Sequence, residues 1–563
     1  MSKIVELANK QLKQAVIDAV STAAVKGELP KVPVPDFGIE IPAERAHGDL
    51  SSNVALVSAK VFGRPPRKIA EMIMKHLVLE NTMLESAEVA GPGFLNFRLS
   101  EGYYAKVVED VLDQGDNYGQ SDFGQGKKVN VEFVSANPTG PMHMGNARGG
   151  ALGDCLASVM EAAGYSVWRE FYVNDAGNQI EKFGISLEAR YIQLLKGEDA
   201  VEFPEDAYHG DDIREHATGF AEIYGDKYLN ADSRERRDAL VKYALPLNVE
   251  RMRNDLKKYR IEYDCWFSES ALHNNGDIAD AIRLLSERGM TYEKDGALWY
   301  KASENSGEKD EVLIRANKIP TYFAADIAYH INKFKRGFDI CINVWGADHH
   351  GHVARMKGAM DAAGYDGSKL EVVLIQLVRL MREGEVVRMS KRSGKAIQLA
   401  DLLDEVPVDA ARFFFNQREA NTQMDFDLDL AVEQSSQNPV YYVQYAHARI
   451  CSIFHNLEQE GIVPRECTIS ELSQLVQTEE KELIRHLSLF TDEIVESAKT
   501  RDPARITRYC LELATLFHKF YNSCRVKGEE EPLMQARLAL CAATRHTLKN
   551  SLALLKIEAP LSM

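Results

Sequence analysis

One stretch, VEFVSANPTGPMHMGNARGG (131–150), joins a strand-like alternation to a loop with two prolines and two glycines, and then to a histidine where a helix begins. His143 is followed by Met144, Gly145 and Asn146. A hydrogen-bond donor beside the positive end of a helix suits an anion such as a nucleotide phosphate. Gly145 leaves room for a purine or ribose against the backbone. The spacing is neither G-x-G-x-x-G nor a P-loop, so those two nucleotide readings fail. Taken alone, the residues suit a capping loop with a solvated histidine equally well. A second stretch, GEVVRMSKRSGKAI (384–397), carries Arg388, Lys391, Arg392 and Lys395 in a glycine-flanked loop. Alone it is a solvated charged loop. At the same sheet edge as His143 it could close over the β- and γ-phosphates and stabilise charge on leaving pyrophosphate. In PTYFAADIAYH (320–330), Tyr322 and Asp326 are four apart and share one face of a helical turn; alone, Asp326 reads as an exposed helix carboxylate. GADHHGH (346–352) gathers Asp348, His349, His350 and His352 as a metal site would. Against that, adjacent residues at a strand end point to opposite sides, and no distant ligand cluster accompanies them.

These groups need a scaffold. Val129, Val131 and Phe133 alternate with polar neighbours, which predicts a strand. Leu152, Cys155, Leu156, Val159, Met160 and Ala163 make one helical face, ended by Gly164, and Val167 to Val173 reads as a second strand. A later unit repeats the scheme: strand 340–344, helix 352–364 closed by Gly364, strand 372–378. Strand, crossover helix and strand imply an α/β protein with a doubly wound, Rossmann-like parallel sheet. Ligands are then expected at the carboxyl ends of its strands. Residues 1–112 read as an α+β domain, followed by a Gly- and Asp-rich linker at 113–126 that opens a catalytic domain extending to 400. Within that domain, about 185–310 is charged and mostly helical, an insertion. Residues 401–437 connect to an all-α bundle at 438–563, where Asn438 and Pro439 make a good N-cap and first-turn pair.

At 563 residues the chain is too long for one ordinary core. Hydrophobic content of 45% and charged content of 27% are those of a globular protein. No run of eighteen apolar residues predicts a membrane span, and the first twenty residues read as an amphipathic helix rather than a signal peptide. Eight scattered cysteines with no C-x-x-C pair argue against a zinc ribbon or disulfide framework and for a reducing cytoplasm. A net charge of −17 counts against nucleic acid on average. Local basic patches still act within a Debye length of about 8 Å.

The two basic and histidine-bearing stretches resemble the HIGH and KMSK signatures of class I aminoacyl-tRNA synthetases, standing here as His143-Met144-Gly145-Asn146 and Arg388-Met389-Ser390-Lys391. ANPTGPMHMGNARG, FYVNDAGNQI, PTYFAADIAYH, NVWGADHHGH, RMSKRSG and DLLDEV are similar to bacterial arginyl-tRNA synthetases in the same order. So are HGDLSSNVAL and GPGFLNFRL near the start and NPVYYVQYAHARI near the end, so the likeness covers nearly the whole chain. The resemblance implies ATP, accompanied by magnesium, bound by His143 to Asn146 and Met389 to Lys391. It implies no tightly bound cofactor or protein metal site, and in-line attack of the arginine carboxylate on the α-phosphate without a covalent enzyme intermediate. His143, Asn146, Arg388 and Lys391 are the implied catalytic groups. Asp326 would hold the guanidinium, a planar cation suited to a carboxylate, with Tyr322 orienting it. Glu132 and Asn137 would fix the substrate from the opposite side, with His349 or Asp348 near the α-amino group. The helical bundle would bind the anticodon of tRNA(Arg), where Tyr441, Tyr445 and Arg449 could stack on unpaired bases; the same stripe also reads as core packing. The N-terminal domain, with GRPPRK (63–68), would grip the tRNA elbow. A cytoplasmic monomer is expected. Two positions depart from the signatures: Asn146 replaces a histidine and cannot carry charge, and Arg388 replaces a lysine with different geometry. Besides a metal-dependent hydrolase, which the GADHHGH cluster would suggest, there are two competing readings: a cysteine- or glutamate-specific class I enzyme and a non-catalytic tRNA-binding relative. The first lacks Cys and His at zinc spacing, and the second conflicts with the presence of His143, Lys391 and Asp326.

Overall fold

The computed structural model describes residues 2–42, 44–387 and 397–563. At its centre β1 (Lys128–Glu132), β2 (Ser166–Val173), β3 (Cys265–Ser268), β4 (Ile340–Gly346) and β5 (Leu370–Ile375) form a parallel sheet in the order β5-β4-β1-β2-β3. The order reverses between β1 and β4, the switch point where doubly wound sheets bind ligands. Helix α1 (Gly145–Ala162) crosses from β1 to β2. It lies close because Gly153 faces Phe133: a Cβ there would stand 2.3 Å from the Phe133 ring.

The helical part of the insertion is α2 (Asn178–Lys196), α3 (Asp211–Tyr224) and α4 (Ser233–Lys258). These helices bury Phe183, Tyr191, Ile213, Phe220 and Leu240 in a core of their own. The helical expectation for 185–310 needs correction in two places. β3 lies inside that range yet forms an edge of the central sheet. A three-stranded antiparallel sheet of Thr291–Lys294, Ala297–Tyr300 and Glu311–Ile314 follows. Each of these strands has four residues, and β3 is half-buried throughout, so no period-two pattern marks it in the sequence.

Helix α5 (Tyr322–Lys335) starts where the Thr321 side chain accepts from the Ala324 N–H, and it carries Lys333 and Lys335 in its last turn, as the helix dipole favours. It leads into β4, and α6 (His350–Ala363) returns to β5. The strand expected at 372–378 is two strands. β5 ends at Ile375, and the Gln376 N–H donates to the Ala420 carbonyl (2.9 Å). The chain then enters β6 (Val378–Arg382), which pairs with β7 (Glu385–Val387) and, in parallel, with β8 (Met424–Asp427). Between β7 and β8, α7 (Val408–Phe415) packs on α1.

The first hundred residues form a four-stranded antiparallel sheet with helices, including Lys3–Val25 and Pro66–His76. From Pro439 the described chain is helical: α8 (Pro439–Gln459), α9 (Thr478–Ser488), α10 (Ala504–Ser523) and α11 (Glu531–Leu554) are its main elements. The Asn438 side chain accepts from the Val440 N–H, and Pro439 opens α8, as the sequence predicts. This bundle docks on the N-terminal domain through Arg485, which pairs with Asp49 and donates to the Tyr104 hydroxyl (2.7 Å).

Candidate functional site

The carboxyl edge of the sheet holds a cavity of about 760 Å³ between the β1–α1 loop and the insertion. Ser135, Asn137, Thr139, His143 and Asn146 line one side; Tyr208, Asp212, Glu215 and Arg251 line the other. The insertion is tied to this loop: the buried Asn248 amide on α4 donates to the Pro138 carbonyl (3.0 Å) and accepts from His216 (2.8 Å). His143 is exposed toward the cavity, and nothing stands within 4 Å of where a Gly145 Cβ would project. A planar base can therefore approach the start of α1.

Arg388, Met389, Ser390 and Lys391, with Arg392 and Lys395, lie outside the described residues. The chain directly after them is described, and it pairs with the histidine loop. The Met144 N–H donates to the Ile397 carbonyl (3.0 Å) and the Leu399 N–H to the Met142 carbonyl (2.9 Å), with His143 opposite Gln398 in an antiparallel bridge. Residues 397–399 thus join the histidine loop at one sheet edge.

A second, acidic cluster of side chains lies near the first. Asp326 on the first turns of α5 is half-exposed, and its Oδ2 pairs with His352 Nε2 (3.2 Å). The Tyr322 hydroxyl accepts from the Asn178 N–H (3.2 Å). Gly177, at φ +81°, makes room for that ring, since a Cβ there would meet the hydroxyl at 3.1 Å. Glu269, absent from the sequence reading, is the cluster's second carboxylate. It directly follows β3, at the carboxyl end of a parallel strand where ligands are expected. Asp175 fixes the turn that carries it, accepting from the Ser268 hydroxyl (2.6 Å) and the Ser270 N–H (2.8 Å). Burial pushes the Glu269 carboxyl up to about 7, and the charges of Asp326 and Asp175 push the same way. With its amide turned so that the nitrogen faces the acid, Asn174 donates to Glu269 Oε2 (2.7 Å), and its oxygen then lies 3.2 Å from Asn137 Oδ1.

Glu132 is placed differently from a free ligand. Lys333 donates to its Oε2 (2.6 Å) and the Ser135 hydroxyl to its Oε1 (3.0 Å), and the residue is almost wholly buried. His349 is exposed, 3.7 Å from Asp348 and with its ring 6.1 Å from Trp345. Of the four residues in GADHHGH, His352 is the one turned to Asp326. Among the described residues no three His, Cys, Asp or Glu side chains gather as a metal site.

On α8, Tyr441 and Tyr445 stack at 6.5 Å and Tyr445 stacks on His518 of α10 (6.0 Å). Arg449 lies over Tyr521 (4.5 Å). Tyr445 is exposed, whereas His447 is buried and donates to the Pro560 carbonyl (2.8 Å). In the 63–68 turn, Arg67 and Lys68 both pair with Glu71.

A histidine-bearing loop at the switch point of a doubly wound sheet, with a helical bundle following it in the chain, is the arrangement of a class I aminoacyl-tRNA synthetase. Residues 107–455 match the family described as tRNA synthetases class I (R), catalytic domain. Residues 9–99 match the arginyl tRNA synthetase N terminal domain, and residues 443–563 the DALR anticodon binding domain. The arginine–tRNA ligase of Ruminiclostridium cellulolyticum is 58% identical over 98% of both chains. That of Acetivibrio thermocellus is 57% identical over the whole of both. A solved structure of a putative arginyl-tRNA synthetase from Campylobacter jejuni superposes with a TM-score of 0.74 at 33% identity, covering 83% of this chain and all of that one. The chain belongs to the arginyl-tRNA synthetase family.

Proposed function

We propose that the cavity and the acidic cluster carry ATP-dependent activation of L-arginine and its transfer to the 3′ end of tRNA(Arg), with AMP and pyrophosphate released. The observation that carries this reading is the pairing of residues 397–399 with residues 142–144 at the mouth of a nucleotide-sized cavity, near a cluster with two carboxylates. ATP lies along the start of α1, with His143 and Asn146 donating to its phosphates and Gly145 against the nucleoside. Met389, Ser390 and Lys391, which lie outside the described residues, are assigned to the same nucleotide, Lys391 and Arg388 to offset charge on the departing pyrophosphate. The arginine guanidinium sits between Asp326 and Glu269, with Tyr322 fixing its plane and Asn137 and Glu132 toward the α-amino end. Its carboxylate oxygen then attacks the α-phosphorus and pyrophosphate leaves. A hydroxyl of the terminal ribose next attacks the arginyl carbonyl and AMP leaves. His349, exposed on the rim, serves the amino end only if the rim closes on the substrate.

Magnesium enters with ATP as the counter-ion of the phosphates. It prefers oxygen ligands and keeps much of its water, and Asp211, Asp212 and Glu215 lie along the cavity, but no three-ligand group is found among the described residues. Tyr441, Tyr445 and Arg449 are assigned to anticodon bases, supported by the exposed stacked edge of α8. Arg64, Arg67 and Lys68 are assigned to the tRNA elbow. A cytoplasmic monomer fits eight free cysteines, and no described helix is long and apolar enough to cross a membrane.

The test is a charging assay with ATP, total tRNA and each amino acid in turn. Arginine alone should be esterified. Charging of cysteine or glutamate instead, or of nothing, would refute the reading.

A further inference from the structure

Beneath the acidic cluster the sheet and α5 enclose a layer of buried charge. Asn343 on β4, Glu132 on β1 and Glu170 on β2 are register partners across adjacent parallel strands, so their side chains share one face. Helix α5 lies on that face. Lys333 donates to Glu132 (2.6 Å) and to the Asn343 oxygen (2.8 Å), and Arg336 donates to Glu170 (2.8 Å). Two carboxylates thus meet two cations and the layer is neutral. Such pairs add little stability over apolar packing of the same volume, so their presence points to another role.

Lys333 is linked to two elements beside the amino acid site, the loop after β1 and α5. Through Glu132 it acts on the loop whose Val134 and Ser135 hold left-handed φ of 70° and 43°. Through Asn343 and His330 it reaches the backbone of α5 at Asp326. The Asn343 amide donates to His330 Nε2 (2.6 Å), and His330 Nδ1 donates to the Asp326 carbonyl (2.7 Å). Every donor in this chain points the same way, away from the ammonium.

We propose that Lys333 is a positioning residue that determines specificity: by neutralising Glu132 behind the Ser135 loop it leaves the α-amino end of the site without net charge, while Asp326 and Glu269 keep the other end acidic, so the site takes a ligand that is zwitterionic at one end and cationic at the other. Free arginine has that charge pattern. Arginine without its carboxylate, or with it esterified, is cationic at both ends and meets no counter-charge at Glu132. Only the intact carboxylate can be activated, so such ligands would act as dead-end occupants.

The inference rests on the arginine site proposed above. Arginine-dependent ATP–pyrophosphate exchange with tRNA present, inhibited by agmatine (decarboxylated arginine), tests it through the ratio of agmatine Ki to arginine KM. Lys333→Met leaves Glu132 unneutralised and should lower that ratio about tenfold or more, the scale of one shielded charge interaction. Glu132→Gln leaves Lys333 unneutralised and should raise it; this isosteric variant carries the test if Lys333→Met does not fold. The double variant removes both charges and should return the ratio to that of the parent. A ratio within twofold of the parent in either folded single variant, or two shifts of the same sign, overturns the proposal. Asp326→Asn separates the two readings. If it leaves arginine affinity unchanged, the arginine site itself is misplaced; if it weakens both ligands while Lys333→Met changes no ratio, only the role of Lys333 fails.

Discussion

Glu269, held up to about 7 by burial and by Asp326 and Asp175, changes charge within the working range of the enzyme. A guanidinium needs the ionised form, so arginine binding should expel the proton. Below pH 7 that proton must be displaced against its own affinity, and above pH 7 it is already gone. The KM for arginine should therefore fall up to about tenfold as pH rises from about 6 to 8. Glu269→Gln should flatten that profile, and an unchanged slope would remove Glu269 from the site. The same shift acts on stability with a definite sign. Between the ordinary value of 4.5 and about 7 the folded chain holds a proton that the unfolded chain has lost, so this group costs stability as pH climbs through that window. Lys391→Ala should slow adenylate formation by about 10²–10³, the cost of one lost transition-state donor. Pyrophosphate exchange in the presence of tRNA measures it, and parental turnover would end that assignment. The shared face of Tyr322 and Asp326 was legible because an i,i+4 pair needs only a helix, but their proposed role comes from the resemblance, since alone Asp326 reads as an exposed helix carboxylate. Glu269 was not legible: one carboxylate after a four-residue strand, in a charged stretch, looks like any solvated acid. Glu132 was legible as a site residue by resemblance, but its partner Lys333 lies 201 positions away and no local spacing reveals it.

Among the elements, α1 shows how two glycines eight residues apart do different work. A Gly153→Ala change gains about 1 kcal/mol of helix propensity. It also drives a Cβ to 2.3 Å from the ring of Phe133, which is fully buried and packed on Tyr263. Overpacking of that kind costs about 1–3 kcal/mol, so the variant should be destabilised in urea titration despite the better helix former. Gly145→Ala meets open space and should leave stability within about 0.5 kcal/mol. It should nevertheless raise the KM for ATP, because the space it fills is where the nucleoside approaches. Equal effects of both changes on ATP affinity would place the nucleotide elsewhere. The helix itself, its glycine stop and the flanking strands were readable from period and punctuation. β3 and the antiparallel sheet after it were not, since four half-buried residues carry no period. The break at Gln376 was equally hidden, because VVLIQLV is apolar on both sides of a turn that Ala420 and Arg148 impose from afar.

At the scale of the whole molecule, Arg412 is where the catalytic sheet, the insertion and the helical bundle meet. It stands on α7, wholly buried, and donates to Asp154 on α1 (2.6 Å), to the Tyr259 carbonyl just past α4 (2.9 Å) and to the Leu555 carbonyl at the end of α11 (2.7 Å). Arg412→Ala removes the donor of two carbonyls and of Asp154 Oδ2, leaving that buried carboxylate with Arg169 on its other oxygen (3.2 Å). Removing one partner of a buried pair costs about 3–5 kcal/mol, far more than the apolar area of one side chain. Lysine cannot repair it, because one ammonium cannot reproduce a planar fork aimed at three separate oxygens. The net charge of −17 gives no hint of this, since the deciding cation is shielded from solvent and balanced locally. The consequence is cooperative as well as energetic. With Arg412 in place the last turn of α11 and the end of α4 are fastened to the helix that begins at the nucleotide loop. Without it, the bundle and the catalytic domain should melt as two steps, with the bundle's helices lost at a lower denaturant concentration than the sheet. Circular dichroism of the helices and Trp266 or Trp345 fluorescence from the sheet would report these steps separately. Coincident transitions shifted by less than about 1 kcal/mol would mean that Arg412 fills space without joining the domains.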